Sequence, residues 1–244
     1  MNIPFLALGF TVPCPDSVNE MVTSDNTIFN WSSQEYHLEI VVKFGSHVTL
    51  VEAKNMILFD TYILIAFVEG QTLEKVWESY DEDTKAHVTN QLKKHLPELR
   101  QISNGSYIGS ANSGSVTDPI LGSYYVKGSF DSEEAFNNAI SDAYQSKAPK
   151  RHIKNLLSGM VCQNNPQIVF THGGLGLQNI MVNGKSVSGI LDWGFSGWYP
   201  EDWEFSKALY VWKWQNDWTD YLVQILRQCY AEYAVHSFLA ETLW

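Results

Sequence analysis

Gln167 to Trp193 reads QIVFTHGGLGLQNIMVNGKSVSGILDW, and the chemistry of the chain is concentrated here. Gln167–Thr171 is a short run rich in β-branched and aromatic residues and reads as a strand. Ile180–Val182 is a second strand and Val187–Leu191 its partner. Asn183-Gly184 between them is a strong two-residue hairpin signal, because both residues tolerate positive φ. Such a hairpin carries Asn179, just before its first strand, and Asp192, just after its second, to the same mouth. One amide and one carboxylate, thirteen residues apart in sequence, thereby become neighbours. His172, Gly173 and Gly174 lead into that mouth.

Working outward, the N-terminal side is strand-rich. Residues 1 to about 35 are rich in Pro, Ser and Asn and read as irregular. His37–Phe44 reads as a strand, and Thr49–Phe59 spaces its apolar residues as a short helix. Thr61–Val68 is a continuous apolar run suited to a strand covered on both faces. After Gly70 the pattern turns helical. Thr72 is expected to cap one segment and Asp81 a longer one, with Pro97 kinking or breaking the latter. Residues 103–130 read mostly as loop, and Asp131 with Glu134 has capping-box spacing for another helix. A further amphipathic stretch runs from Ile153 to Met160. The tail from Asp202 reads as helix, with Tyr221, Leu222, Ile225, Leu226, Cys229, Tyr230 and Tyr233 on one stripe. The expected fold class is α+β with two lobes: a reduced β lobe over 1–69, and a larger, mainly helical lobe over 70–244 that holds the hairpin. A hinge falls near residues 66–70.

The totals narrow the function classes. At 45% hydrophobic and 14% aromatic, 244 residues supply a full core, so disorder is excluded. A net charge of −11 with no Lys/Arg run argues against nucleic acid and anionic membrane surfaces as partners. Cys14, Cys162 and Cys229 lack metal-ligand spacing and read as free thiols. No run approaches the ~20 apolar residues of a membrane helix, and Met1–Phe10 lacks the basic start of a signal peptide. The Asn-x-Ser sequons at Asn30 and Asn104 carry little weight without one. A cytoplasmic location is expected.

His172 through Asn179 matches the kinase catalytic loop, H-x-D followed by four residues and Asn, except that Gly174 occupies the Asp position. With Gly189-Ile190-Leu191-Asp192-Trp193 and Gly197-Trp198-Tyr199-Pro200-Glu201, the chain resembles the aminoglycoside-phosphotransferase and choline-kinase-like family. The likeness is to a branch common in fungi, where the first motif reads T-H-G-D. Val42-Lys43-Phe44-Gly45, Glu52-Ala53-Lys54-Asn55, Val68 through Glu74 and Tyr107-Ile108-Gly109-Ser110 follow in the same order, so the resemblance spans roughly 37–210. It implies a protein-kinase-like fold. It also implies Lys43 on nucleotide phosphates with Glu52 as its partner, and Asn179 with Asp192 holding Mg²⁺, a hard ion that takes oxygen ligands.

Two departures bear on activity. Gly174 brings no side chain where the family uses a general base, worth roughly 10²–10⁴ in rate. Between Glu52 and Thr61 the chain is also too short for the family's remaining helix and next strand, so the small lobe is expected to lack that strand. Residues 24–36 contain no glycine to cradle phosphates. The leading expectation is therefore a degenerate member, without ATP or Mg²⁺ as cofactor. It would bind or convert a small organic metabolite, by isomerisation or cyclisation, and the resemblance suggests secondary metabolism. His172 and Asp192 would supply acid or base, and Trp193, Phe195, Trp198, Tyr199 and Trp203 the pocket walls. Two alternatives stand beside it. One is an active ATP- and Mg²⁺-dependent small-molecule phosphotransferase in which His172 or Asp202 replaces the missing Asp. The other is a non-catalytic pseudokinase that docks a partner protein.

Overall fold

The computed structural model describes residues 29–33, 38–44, 57–59, 62–66, 68–102, 107–111, 114–118, 128–147, 166–210 and 216–243. Two compact units divide the chain, Met1–Val68 and Glu69–Trp244.

The first unit is an antiparallel sheet of four strands: β1 (Phe29–Ser33), β2 (Leu38–Phe44), β3 (Ile57–Phe59) and β4 (Tyr62–Ala66), in the order β1-β2-β4-β3. The two apolar runs, LEIVVKF and YILIA, are the central pair. Lys43 lies on β2 opposite Ile63. Two expectations change. Phe29–Ser33 is not irregular but an edge strand in register with β2, from Phe29↔Val42 to Ser33↔Leu38. The unpaired edge of β2 must be satisfied, and the aromatic-rich FNWSS is suited to do so. Ile57–Phe59 is strand rather than the end of a helix. Only Asp60 and Thr61 link it to β4, and so short a connection folds back as a hairpin. A short edge strand thus stands where a missing one was expected. Glu52 and the rest of the expected helix lie outside the described residues, as do Cys14, Cys162, Asn104 and Ile153–Met160.

The second unit carries two three-stranded sheets. In one, β5 (Gln71–Thr72), β8 (Ile180–Asn183) and β9 (Ser186–Ile190) run in the order β5-β8-β9. In the other, β6 (Gly109–Ser110), β7 (Ile168–Thr171) and β10 (Gly197–Pro200) run in the order β6-β10-β7. The helices are α1 (Leu73–Val76), α2 (Glu82–Leu99), α3 (Glu133–Lys147), α4 (Trp203–Tyr210), α5 (Trp218–Ile225) and α6 (Tyr230–Leu243). Helix α4 joins two apolar clusters: Trp203 enters one with Phe136, Ile140 and Tyr199, and Phe205 the other with Trp77, Leu92 and Trp218. Every residue from Trp203 to Ala208 is buried, as expected of a helix covered all round. Its Lys207 is neutralised by Asp118 at 2.8 Å and lies 4.3 Å from the Trp203 ring centre. Among the described residues no helix is long and apolar enough to cross a membrane.

Local details refine the reading. Asp81 caps α2 by accepting from the Thr84 N–H at 2.8 Å, whereas the Thr72 side chain makes no capping bond. Helix α2 continues through Pro97 to Leu99. Proline removes one backbone donor there, and the final turn still closes through Arg100 N–H to Leu96 C=O. Ser132, not Asp131, caps α3 by accepting from the Ala135 N–H. The β8–β9 turn is Gly184-Lys185, one residue later than expected, since Asn183 pairs with Ser186. Gly184 takes φ +60° and Lys185 no positive φ, the signs of a type II′ turn. The C-terminal apolar stripe is divided at Leu226 between α5 and α6, and Cys229 is a buried free thiol.

Candidate functional site

Strand β7 delivers the chain at Thr171 into a loop anchored from beneath by a carboxylate. Glu204, in the first turn of α4, accepts the His172 N–H at 2.6 Å and the Gly173 N–H at 3.2 Å. His172 is fully buried, and both ring nitrogens are engaged. Nδ1 accepts from the Gly174 N–H at 3.2 Å, so the proton sits on Nε2, which donates to the Leu191 carbonyl at 2.8 Å. Burial pushes the His172 pKa down, opposed by the Glu204 charge, and the ring is neutral. His172 is thus a strut between the loop and the end of β9.

The opposite wall is pinned from Asn179. Its carbonyl accepts from the Leu191 N–H at 2.7 Å, and its Nδ2 donates to the Gly174 carbonyl at 2.8 Å. Leu191 is therefore held through both N–H and C=O, and Asp192 follows with φ 61° and ψ 66°. Left-handed backbone is tolerated by Asp more readily than by most residues, and held conformations of this kind gather at functional sites. Trp193 Nε1 donates to the Ile190 carbonyl at 2.9 Å and Ser196 Oγ to the Trp193 carbonyl at 2.7 Å, closing the turn. With Nδ2 of Asn179 committed to the Gly174 carbonyl, its Oδ1 is the amide atom that could meet a cation.

The two glycines of the loop differ. At Gly173, φ is +75°, and a Cβ would approach the Phe195 carbonyl oxygen to 2.6 Å, so only glycine fits. At Gly174 a Cβ would meet Phe195 Cδ2, Asn179 Nδ2 and His172 Cε1 at 3.6 to 3.7 Å, ordinary contact. The loop has room for a β-carbon at 174 and carries none.

The structure brings His172, Gly174, Asn179, Asp192, Trp193 and Phe195 together, with the Trp193 ring edge-on to His172 at 4.6 Å. Of the rest of the expected aromatic wall, Trp198 is joined to Trp193 only through Phe170, and Tyr199 and Trp203 lie in the core. Trp198 packs on Tyr107 and Phe170 and donates to the Ile102 carbonyl. Tyr199 and Trp203 are stacked core residues, 0% and 1% exposed, with ring centres 5.2 Å apart. Burial drives the Tyr199 hydroxyl pKa far up, and that hydroxyl accepts from the Thr117 N–H. They were expected as pocket walls for an apolar ligand, but successive residues of β10 face opposite ways, which parts Tyr199 from Trp198, and Trp203 belongs to α4. Asp202 pairs with His236 rather than with the loop. Lys43 is placed only as a position on β2. Glu204 was missed, though a carboxylate between Trp203 and Phe205 in an otherwise apolar helix start is a signal of a buried acceptor.

Among the described residues no group of three or more His, Cys, Asp or Glu could hold a metal. One carboxylate and one amide oxygen nevertheless fit Mg²⁺, which keeps several of its waters.

The family comparison agrees with this geometry. Residues 57–239 match the model of the phosphotransferase enzyme family, so the chain belongs to that family. Solved structures share its protein-kinase-like fold. A thermostable mutant of aminoglycoside phosphotransferase APH(4)-Ia, in ternary complex with ADP and hygromycin B, aligns with a TM-score of 0.59 at 10% identity, covering 93% of this chain and 90% of that one. An aminoglycoside-3'-phosphotransferase of type VIII aligns at 0.55 and 11%, covering 94% and 98%. Macrolide 2'-phosphotransferase MphH from Brachybacterium faecium aligns at 0.50 and 12%, covering 89% and 80%. No curated protein matches the chain in sequence.

Proposed function

We propose that this family member no longer carries out efficient phosphoryl transfer, and that its loop now serves to bind or convert a small organic molecule. The observation that carries the reading is Gly174. It sits in a loop where a β-carbon would meet only ordinary contacts, at the position the family gives to its proton-accepting Asp. Loss of such a base costs roughly 10²–10⁴ in rate, or about 3–5 kcal/mol of barrier. A small organic ligand is supported by the relatives, whose names describe phosphotransferases for aminoglycosides and macrolides.

Within this reading His172 is a positioning residue, because both of its nitrogens are spent on the backbone. Asp192, half-buried at the mouth, is the group to hold or move a proton at its carboxylate, with Trp193 and Phe195 as apolar walls. The test is ATP consumption by the purified chain at millimolar Mg²⁺-ATP, with a panel of hydroxylated and aminated small molecules as acceptors. Background consumption throughout is expected, and acceptor-dependent consumption overturns the reading.

The second reading, an active phosphotransferase using ATP and Mg²⁺, draws on the juxtaposition of Asn179 and Asp192 and on the four-stranded sheet. In it these two residues would hold Mg²⁺, which would neutralise developing phosphate charge, and Lys43 and Glu52 would serve the nucleotide. It predicts that Asp192→Ala abolishes Mg²⁺-dependent stabilisation of the chain by ATP.

A further inference from the structure

The sheet of β6, β10 and β7 has two unlike faces, because successive residues of a strand alternate between them. Val169 and Tyr199, paired across β7 and β10, are buried in the core. Phe170 and Trp198, the neighbouring pair, therefore lie on the opposite face, ring edge to ring at 5.1 Å. On the β6 side Trp198 pairs with Gly109, which has no side chain to lay over the indole. The row continues both ways. Tyr107 stands edge-on to Trp198 at 5.4 Å, and Trp193 is stacked on Phe170 at 6.3 Å. Trp193 is also edge-on to His172 and follows Asp192 directly, so one end of the row is the mouth of the loop. Beside Trp198 lies Ile102, 46% exposed.

The donors of the row are spent on backbone. Trp198 Nε1 donates to the Ile102 carbonyl at 3.2 Å, Trp193 Nε1 to the Ile190 carbonyl at 2.9 Å, and the Tyr107 hydroxyl to the Ser110 carbonyl at 2.9 Å. None of these side chains is charged. Tyr107, Trp193 and Trp198 are only half-buried, so what they offer an incoming molecule is ring surface. An amino sugar laid on such a surface would lose water from polar groups that gain no partner, which is costly. A flat apolar body loses nothing of the kind, and aromatic walls with one polar group at the end suit it.

We propose that this row seats the small molecule, and that the molecule is a flat apolar one, an aromatic or fused-ring body carrying one hydroxyl or amine. The body lies along Trp198 toward Trp193, and its hydroxyl or amine donates to the Asp192 carboxylate. The row acts in this way only if the loop serves a small organic molecule, as proposed above, and no covalent step is involved.

Calorimetric titration of the full chain with 2-naphthol tests this, with hygromycin B as the polar contrast. Sub-millimolar binding of 2-naphthol without binding of hygromycin B is expected. Trp198→Ala should weaken 2-naphthol about tenfold, the size of one lost aromatic contact. Ile102→Asp places a charge beside the row at an exposed position, should weaken it comparably, and serves if the first variant does not fold. Phe238→Ala removes an exposed ring on α6, outside the row, and should leave affinity unchanged. The proposal is overturned if 2-naphthol does not bind, if hygromycin B binds as well, or if Phe238→Ala weakens binding as much as the row variants do. Acceptor-dependent ATP consumption is a separate readout: its appearance overturns the loss of phosphoryl transfer, whereas a failure of 2-naphthol to bind overturns the row and leaves that loss standing.

Discussion

Adjacent glycines in the loop differ in what holds them: Gly173 answers a backbone requirement and Gly174 does not. Gly173→Ala forces a Cβ against the Phe195 carbonyl at positive φ and should cost about 1–3 kcal/mol. Gly174→Ala meets only ordinary contacts and should stay within about 0.5 kcal/mol of wild type. Paired thermal melts distinguish the two, and equal losses would remove the argument that position 174 is open. His172 supplies a pH signature. Its folded pKa lies below the unfolded value of about 6.5, so between the two the unfolded chain binds the extra proton. Stability from the neutral ring is complete above about pH 6.5 and falls as pH drops through the window beneath it. Melting temperature should decline there, and less steeply in His172→Gln. The His172, Asn179 and Asp192 positions were legible because hairpin spacing fixes their meeting. The role of His172 was not, because a sequence does not show which of its nitrogens are already bonded.

Among elements, α4 is the hub. Glu204 in its first turn supplies the acceptor for two buried loop N–H groups. Glu204→Ala leaves both unsatisfied, at about 1–3 kcal/mol for each. Urea melts should show a loss of about 2–6 kcal/mol, while Glu204→Gln, which retains one acceptor oxygen, should lose less than Glu204→Ala. If Glu204→Ala melts like wild type, the loop does not depend on its anchor. The elements also show where reading a sequence stops. The long apolar runs of β2 and β4 and the Asp81 cap were evident, because each is written in consecutive residues. β1 and β3 were not. FNWSS and ILF are too short to show a period, and they become strands by pairing with neighbours that need an edge. The β8–β9 turn moved by one residue because Gly184 takes the strained φ alone.

At the scale of the molecule, the family and the α+β class were carried by ordered motifs, whereas the allocation of aromatics between core and site was not. Tyr199 and Trp203 follow the Asp192 motif in sequence, as Trp198 does, yet they fill the core with Phe136 because β10 and α4 turn them there. What remains around Gly174 is a loop whose strut, anchor and Asn179 clamp are all in place. The most direct test of the central claim is the rate of Mg²⁺-ATP consumption by Gly174→Asp beside wild type, with thermal melts confirming that both are folded. A rise of about 10²-fold or more with a similar melting temperature is the predicted result, since the restored carboxylate enters an otherwise complete loop. A folded Gly174→Asp that stays at background, or a wild type that already matches it, would contradict the claim that the reaction was lost at this one residue.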